Sequence, residues 1–144
     1  MQVNVTSDSL LILSYLDDIH EYLSQSYWAE SIPKPLLKKA LDNSVCFAII
    51  DPKEGLMAFA RMVTDKATFG YLADVFVRQP FRGQGLSKRL MEAVIAHPDL
   101  QGLRRTMLVT RDAHALYEQF GFKSLTDAHP FMQIAVPDIY KQNL

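Results

Sequence analysis

The sequence predicts an α/β (α+β) domain built on a mixed, mostly antiparallel sheet flanked by helices. Three observations lead there. Apolar stretches of strand length succeed one another through turn residues from Val45 to Val77. The last of them, Tyr71-Leu72-Ala73-Asp74-Val75-Phe76-Val77, runs into Arg82-Gly83-Gln84-Gly85 and an amphipathic helix. A further strand and helix follow. Successive hairpins that give way to a strand–helix–strand crossover describe a sheet that changes from antiparallel to parallel pairing. The 144 residues suffice for one core and not two, so residues 1–144 are expected to form a single domain.

The elements follow from local pattern. Gln2 to Val5 alternate like a short edge strand. Asp17 or Asp18 can cap a helix whose apolar face is Ile19, Tyr22 and Leu23. Ser26-Tyr27-Trp28-Ala29 breaks that pattern, and Pro33 and Pro35 open a second helix through Leu36, Leu37, Ala40 and Leu41. Val45 to Ile50 and Leu56 to Val63 flank the turn chemistry of Asp51-Pro52-Lys53-Glu54-Gly55, which makes a hairpin. A turn near Asp65-Lys66 leads into Thr68 to Val77, an almost wholly apolar strand interrupted by Asp74. From Gly85, Leu86, Leu90, Ala93 and Val94 recur at helical spacing until His97-Pro98 stops the helix. Thr106 to Thr110 reads as a short strand. Asp112 is an N-cap for a helix carrying Ala113, Leu116, Tyr117 and Phe120, which Gly121 closes. Phe122 to Leu125 and Phe131 to Val136 are expected as two final strands, the last pairing inside the same chain by default or with the edge of a partner.

Composition excludes several classes of function. A hydrophobic content of 49% with 22% charged residues is that of a globular protein. A net charge of −1 provides no field to hold a nucleic acid by its phosphates. The start, MQVNVTSDS, lacks the pattern of a secretory signal, and Leu10 to Leu13 is too short to span a bilayer. A cytoplasmic protein with no membrane partner is expected. The single cysteine, Cys46, lies in a strand pattern and reads as a buried thiol rather than a nucleophile. His20, His97 and His129 are scattered at no metal-ligand spacing, so no metal is expected.

Two closely spaced glycines between a strand and a helix gather backbone N–H groups where the helix dipole is positive, an arrangement that suits a pyrophosphate. A plain tight turn explains the same glycines. The third glycine of a dinucleotide fingerprint is missing, and no Gly-Lys-Ser/Thr is present for a nucleoside-triphosphate loop. The second informative stretch is Ala113 to Phe122, one strand later. Arg82-Gly83-Gln84-Gly85-Leu86-Ser87, followed by Ala113, Leu116, Tyr117, Gly121 and Phe122 at their spacing, resembles the two ordered motifs of the GNAT superfamily of acyl-coenzyme A-dependent N-acyltransferases. The likeness extends by element order from Val45 to Val136. Ser87 stands where the family has Gly or Ala, and Thr110 where it often has Asn.

The resemblance implies an enzyme that moves an acetyl group from acetyl-CoA to a primary amine, small molecule or peptide, by direct transfer in a ternary complex. It implies that Arg82, Gly83, Gln84, Gly85, Leu86 and Ser87 hold the pyrophosphate, and that the backbone of Phe76 and Val77 pairs with the pantetheine arm. A splay between the strand ending at Val77 and the strand at Thr106 to Thr110 would admit that arm. Tyr117 takes the position of a general acid for the departing thiolate, or only packs. Asp74, a carboxylate among apolar neighbours, is either the base that deprotonates the amine or a buried group satisfied at a bulge. Asp65 and His114 are weaker candidates for that base. Tyr27 and Trp28 either wall the acceptor site or cap the core. A non-catalytic acyl-CoA sensor and a protein acetyltransferase are the rival functions, and monomer and homodimer remain open.

Overall fold

Five strands, β1 (Val5–Thr6), β2 (Val45–Asp51), β3 (Gly55–Thr64), β4 (Phe69–Val77) and β5 (Arg105–Leu108), lie side by side in sequence order in one sheet. The computed structural model describes residues 4–141. The first three strand junctions are antiparallel and the last, β4 to β5, is parallel. Helix α4 (Leu86–Ala96) provides the crossover between the parallel pair. The mixed, mostly antiparallel pairing expected from the sequence is observed.

The hairpins form where the turn chemistry stands. Asp51 accepts hydrogen bonds from the backbone N–H groups of Lys53 and Glu54 at 2.8 Å, and Gly55 takes the left-handed φ of +77° that closes the turn. Asp65 does the same for the β3–β4 turn, accepting from the N–H groups of Ala67, Thr68 and Phe69 and from the Thr68 hydroxyl. Those bonds hold its carboxyl far below the usual carboxylate range. Asp65 is thus a turn-former and does not line the cleft described below.

Period-two alternation along β2 sends Cys46 and Ala48 to one face and Phe47 and Ile49 to the other. On the first face pack α1 (Ser9–Leu13), α2 (Leu16–Leu23) and α3 (Lys34–Asp42), through Ile12, Ile19, Leu23, Leu37 and Leu41. On the second pack α4, through Leu86, Leu90, Met91 and Val94, and α5 (His114–Glu118), through Tyr117. Both faces of the sheet are therefore covered, and β2 and β3 are buried along most of their length.

Several boundaries differ from the sequence reading. Of the strand expected over Gln2 to Val5, residues 2 and 3 lie outside the described residues, and pairing begins at Val5. Leu10 to Leu13 belongs to a helix, α1, capped by Asp8, whose carboxylate accepts from the N–H groups of Leu10 and Leu11. The cap of α2 is Tyr15; Asp17 and Asp18 fall in the first turn, where they complement the helix dipole. Asp112 does not cap α5. Ala113 holds that place and its N–H bonds to the Thr110 hydroxyl at 3.1 Å.

The largest correction concerns the chain's end. Neither Phe122–Leu125 nor Phe131–Val136 forms a strand. The sheet ends at β5, which pairs with β4 alone. A strand exists only through its neighbour, and among the described residues neither segment has one. Met132 and Ile134 are 95% and 99% exposed as a result.

Helix α4 is fixed by Leu86, Leu90, Met91 and Val94, of which Leu90 is fully buried against the second face. Leu90→Ala is expected to lower unfolding free energy by about 2–5 kcal/mol, read as a drop in urea midpoint at unchanged slope.

Candidate active site

The pairing of β4 with β5 runs from Phe69 opposite Arg105 to Leu72 opposite Leu108 and stops there. β4 continues for another turn of alternation, to Val77, with β3 on one side only. Against β3 the register slips: Arg61 faces Ala73 and Phe59 faces Phe76, so Asp74 and Val75 oppose the single residue Ala60. This is a β-bulge, and Asp74 takes the left-handed conformation with φ +56°. The extra residue bends β4 away from β5, and the two strands part. The parting opens a cleft of about 790 Å³.

One end of the cleft is the start of α4. Gly83 and Gly85 both have left-handed φ, +81° and +77°, which a side chain resists. Their cost is conformational rather than steric, because a Cβ on either would meet no protein atom within 4 Å and would instead fill the space before the helix. No backbone N–H from Gly83 to Lys88 meets a protein acceptor among the described residues. The cap residue Gly85 offers no side-chain bond either. A row of free donors at the positive end of an eleven-residue helix fits the pyrophosphate of coenzyme A. Arg82, Gly83, Gly85, Leu86 and Ser87 line the cleft; Gln84 does not.

Arg82 is used differently from the loop it begins. Its Nε donates to the Val77 carbonyl at 3.0 Å, and a terminal nitrogen donates to the Tyr22 hydroxyl at 2.9 Å. Tyr22 in turn stacks on Phe76, ring centroids 4.0 Å apart and planes 8° apart. The Phe76 side chain is buried, and its backbone lies opposite Phe59 of β3.

Tyr117 lies at the junction of β4, β5 and α5. Its residue is 8% exposed, and its hydroxyl has no hydrogen bond to another described residue without being sealed from solvent. Burial, and then the nearby Asp112 carboxylate and Tyr27, push its pKa above that of an ordinary tyrosine. The phenol therefore keeps its proton at neutral pH. His114, on the same helix, does not line the cleft.

The other end of the cleft is occupied by a polar network. Arg61 Nε donates to Asp74 Oδ2 at 2.8 Å, with the two side chains 17% and 8% exposed. Trp28 Nε1 donates to Asp74 Oδ1 at 2.9 Å. A second Arg61 nitrogen reaches the Ser44 hydroxyl, which donates to the Ala40 carbonyl. Tyr27 meets Trp28 edge-on, and the Arg111 guanidinium lies over the Tyr27 ring, 3.7 Å from its centroid. Tyr27 and Trp28 are both exposed and line the cleft, so they overhang it and do not cap the core.

From sequence Tyr22 reads only as part of a helix's apolar face, and Arg61 and Arg111 are absent from the expected site residues. The only local signal was Arg61 itself, a charge in the apolar run of β3. The described residues hold no group of three or more His, Cys, Asp or Glu placed to bind a metal, and no helix among them is long and apolar enough to cross a membrane.

Free N–H donors at a helix start, a slot where two parallel strands part and a protonated phenol at its wall lie together in one cleft. The chain belongs to the Acetyltransferase (GNAT) family, whose sequence profile matches residues 13–122. It is 31% identical over 142 residues to a candidate acetyltransferase of Gibberella zeae, covering 83% of this chain and 78% of that one. A crystal structure of a GNAT-family protein from Xanthomonas campestris superposes with a TM-score of 0.92 at 46% identity, over 97% of each chain. A Staphylococcus aureus structure described as a probable acetyltransferase shares the fold, with a TM-score of 0.73 at 21% identity over 94% of this chain and 100% of that one.

Cys46 stands apart from this chemistry. It is buried, and burial pushes its thiol from an ordinary value near 9 up to about 12. The folded chain thus holds a proton that the unfolded chain gives up. The stability this contributes is complete below about pH 9 and is lost as pH rises toward 12. Iodoacetamide at pH 8 is expected to alkylate the urea-unfolded chain and leave the folded one untouched, as mass spectrometry would read, and Cys46→Ala is expected to retain acyl transfer.

Proposed function

We propose that the protein transfers an acetyl group from acetyl-CoA directly to a primary amine, of a small molecule or a peptide, with both substrates bound at once. The observation that carries this reading is the continuity of one cleft, lined from the α4 start through Phe76 and Val77 and Tyr117 to Asp74, Trp28 and Tyr27. One end suits an anion and the other an amine bordered by aromatic rings. Acetyl-CoA brings the activated thioester. The chain orients it and manages the protons.

The N–H groups from Gly83 to Lys88 hold the pyrophosphate, and the Ser87 hydroxyl adds a donor. The Val77 carbonyl, already bonded by Arg82, keeps a second lone pair for an amide of the pantetheine arm. As the amine nitrogen bonds the acetyl carbon and the carbon–sulfur bond breaks, Tyr117 gives its proton to the leaving sulfur. A phenol is protonated at neutral pH, and burial keeps Tyr117 so, leaving it a proton to give.

For Asp74 the contacts with Arg61 and Trp28 support a positioning role over proton abstraction. Both of its oxygens are engaged by donors on the protein, and through them it fixes the bulge and the tilt of Trp28 over the acceptor. The ammonium gives one proton to water at the open acceptor end before it attacks, and the second proton, shed as the amide forms, returns through water to the Tyr117 phenolate.

Thiol release from acetyl-CoA over a panel of small amines and amine-terminated peptides tests the reaction. A thermal shift with acetyl-CoA but no release with any acceptor would reduce the protein to a coenzyme binder. Tyr117→Phe is expected to lower kcat about a hundredfold or more with little change in the KM for acetyl-CoA; undiminished turnover would remove it as the acid. Asp74→Asn keeps an acceptor for Trp28 but leaves Arg61 without its counter-charge. It is expected to cost roughly 3 kcal/mol of stability while the rise of kcat/KM with pH persists, and disappearance of that rise would make Asp74 the base.

A further inference from the structure

The charges at the acceptor end of the cleft do not all cancel. Arg61 and Asp74 answer one another. Arg78 and Arg82 also direct side-chain donors at protein oxygens, those of Leu56, Val77 and Tyr22. Arg111 is held differently. Its guanidinium lies over the Tyr27 ring, 3.7 Å from the centroid, and no carboxylate among the described residues comes within ion-pair distance of it. A ring face attracts a cation without occupying its N–H donors as an oxygen would. Arg111 therefore stands exposed beside a ring that lines the cleft, with its fork of donors unused.

The next residue supplies the opposite sign. Asp112 lines the cleft and pairs with no cation among the described residues. Because Ala113 holds the cap position of α5, the Asp112 carboxylate has no structural task there. It stands close enough to Tyr117 for its charge to hold the phenol's proton more firmly. A second cavity, a groove of about 740 Å³ beside β5, includes Tyr117 too, yet neither Arg111 nor Asp112 is among its walls. The carboxylate serves the cleft alone.

The same neighbourhood limits what can enter. Asp74, on β4, accepts from Trp28 Nε1 at 2.9 Å. Trp28 meets Tyr27 edge-on, ring centroids 5.0 Å apart, and Tyr27 carries the guanidinium of Arg111, which follows β5 in the chain. These four side chains span the parting between β4 and β5 from one bank to the other. Such a bridge leaves room beneath it for a small molecule and obstructs a polypeptide, whose backbone must pass on both sides of the reacting amine. We propose that the acceptor is a small primary amine bearing an anionic group, carboxylate or phosphate, with Asp112 receiving the ammonium beside Tyr117 and Arg111 binding the anion.

The inference rests on the acyl-transfer reading and narrows its acceptor. An amine arrives from neutral water as an ammonium, which a carboxylate attracts. A guanidinium offers two parallel N–H donors that match a carboxylate or a phosphate equally well. A diamine would instead bring a second positive charge against Arg111, which opposes its binding. Opposite charges on consecutive residues thus read the two ends of one short molecule.

Matched probes test it: glycine, phenylalanine and O-phosphoethanolamine against glycinamide, phenylalaninamide, ethanolamine, putrescine and a lysine peptide blocked at both termini. Two quantities are read, kcat/KM from thiol release and Kd from calorimetry on protein saturated with coenzyme A. At least one anionic amine is expected to exceed its neutral counterpart about tenfold or more in each. Whether carboxylate or phosphate leads identifies the anion, and either result supports the inference. Arg111→Ala is expected to bring that ratio toward one, and Arg111→Lys to restore part of it. Asp112→Asn is expected to raise the acceptor KM more than it lowers kcat. Absence of thiol release with every probe would remove the acyl-transfer reading, while calorimetry still decides the acceptor preference. Neutral or dicationic amines that match the anionic ones in binding, or in turnover where turnover is seen, overturn the inference. So does a blocked peptide that outpaces them all, or an anion preference that survives Arg111→Ala.

Discussion

Everything in the candidate site follows from the point at which β4 outlasts its neighbour. After Leu72 the strand has β3 on one side and no strand on the other. Backbone polar groups left that way must be met by something. Arg82 meets one of them, at Val77, and in doing so ties the glycine loop back to the strand it leaves. The start of α4, the position of Tyr117 and the overhang of Trp28 are all arranged around the remainder of that edge. A sheet that paired to its end would have no cleft.

The parting is held open by a mostly buried ion pair. Pairs of this kind are poor sources of net stability, because desolvation offsets most of their attraction. Their geometry is demanding, however, and that is what Arg61 and Asp74 contribute. Asp74 is held in a left-handed conformation by bonds to both oxygens, and Arg61 continues through Ser44 to the end of α3. The bulge is thereby referenced to α3 and to the aromatic loop that precedes it, both outside the sheet. Tyr22 plays a comparable part at the anion end, its ring on Phe76 and its hydroxyl on Arg82. Helix α2 thus contacts the glycine loop, while the aromatic loop after it contacts the bulge.

The sequence showed most of what depends on near neighbours. The strands β2 to β4 and the helix α4 declare themselves through apolar spacing, and the glycine loop and Tyr117 through motifs whose residues are close in the chain. The contacts that define the acceptor end have no such signature. Trp28 and Asp74 are separated by 46 residues, Arg82 and Tyr22 by 60. Arg61 carries no local signal of its partner, which is on the next strand. Asp74 was noticed as an anomaly, but only the structure names the donors around it. The end of the chain failed for another reason. Alternation in residues 131–136 reports that the segment suits a strand and says nothing about which edge receives it.

Strand β5 also divides the two cavities. Leu108, Val109, Thr110 and Tyr117 face both the cleft and the groove. The partition between them is therefore no thicker than a single strand and one phenol ring. Side-chain volume at these four positions cannot be altered on one side without being felt on the other. A substitution that reshaped the groove would also shift the wall of the cleft at Tyr117, so the two cavities cannot be varied independently at these residues.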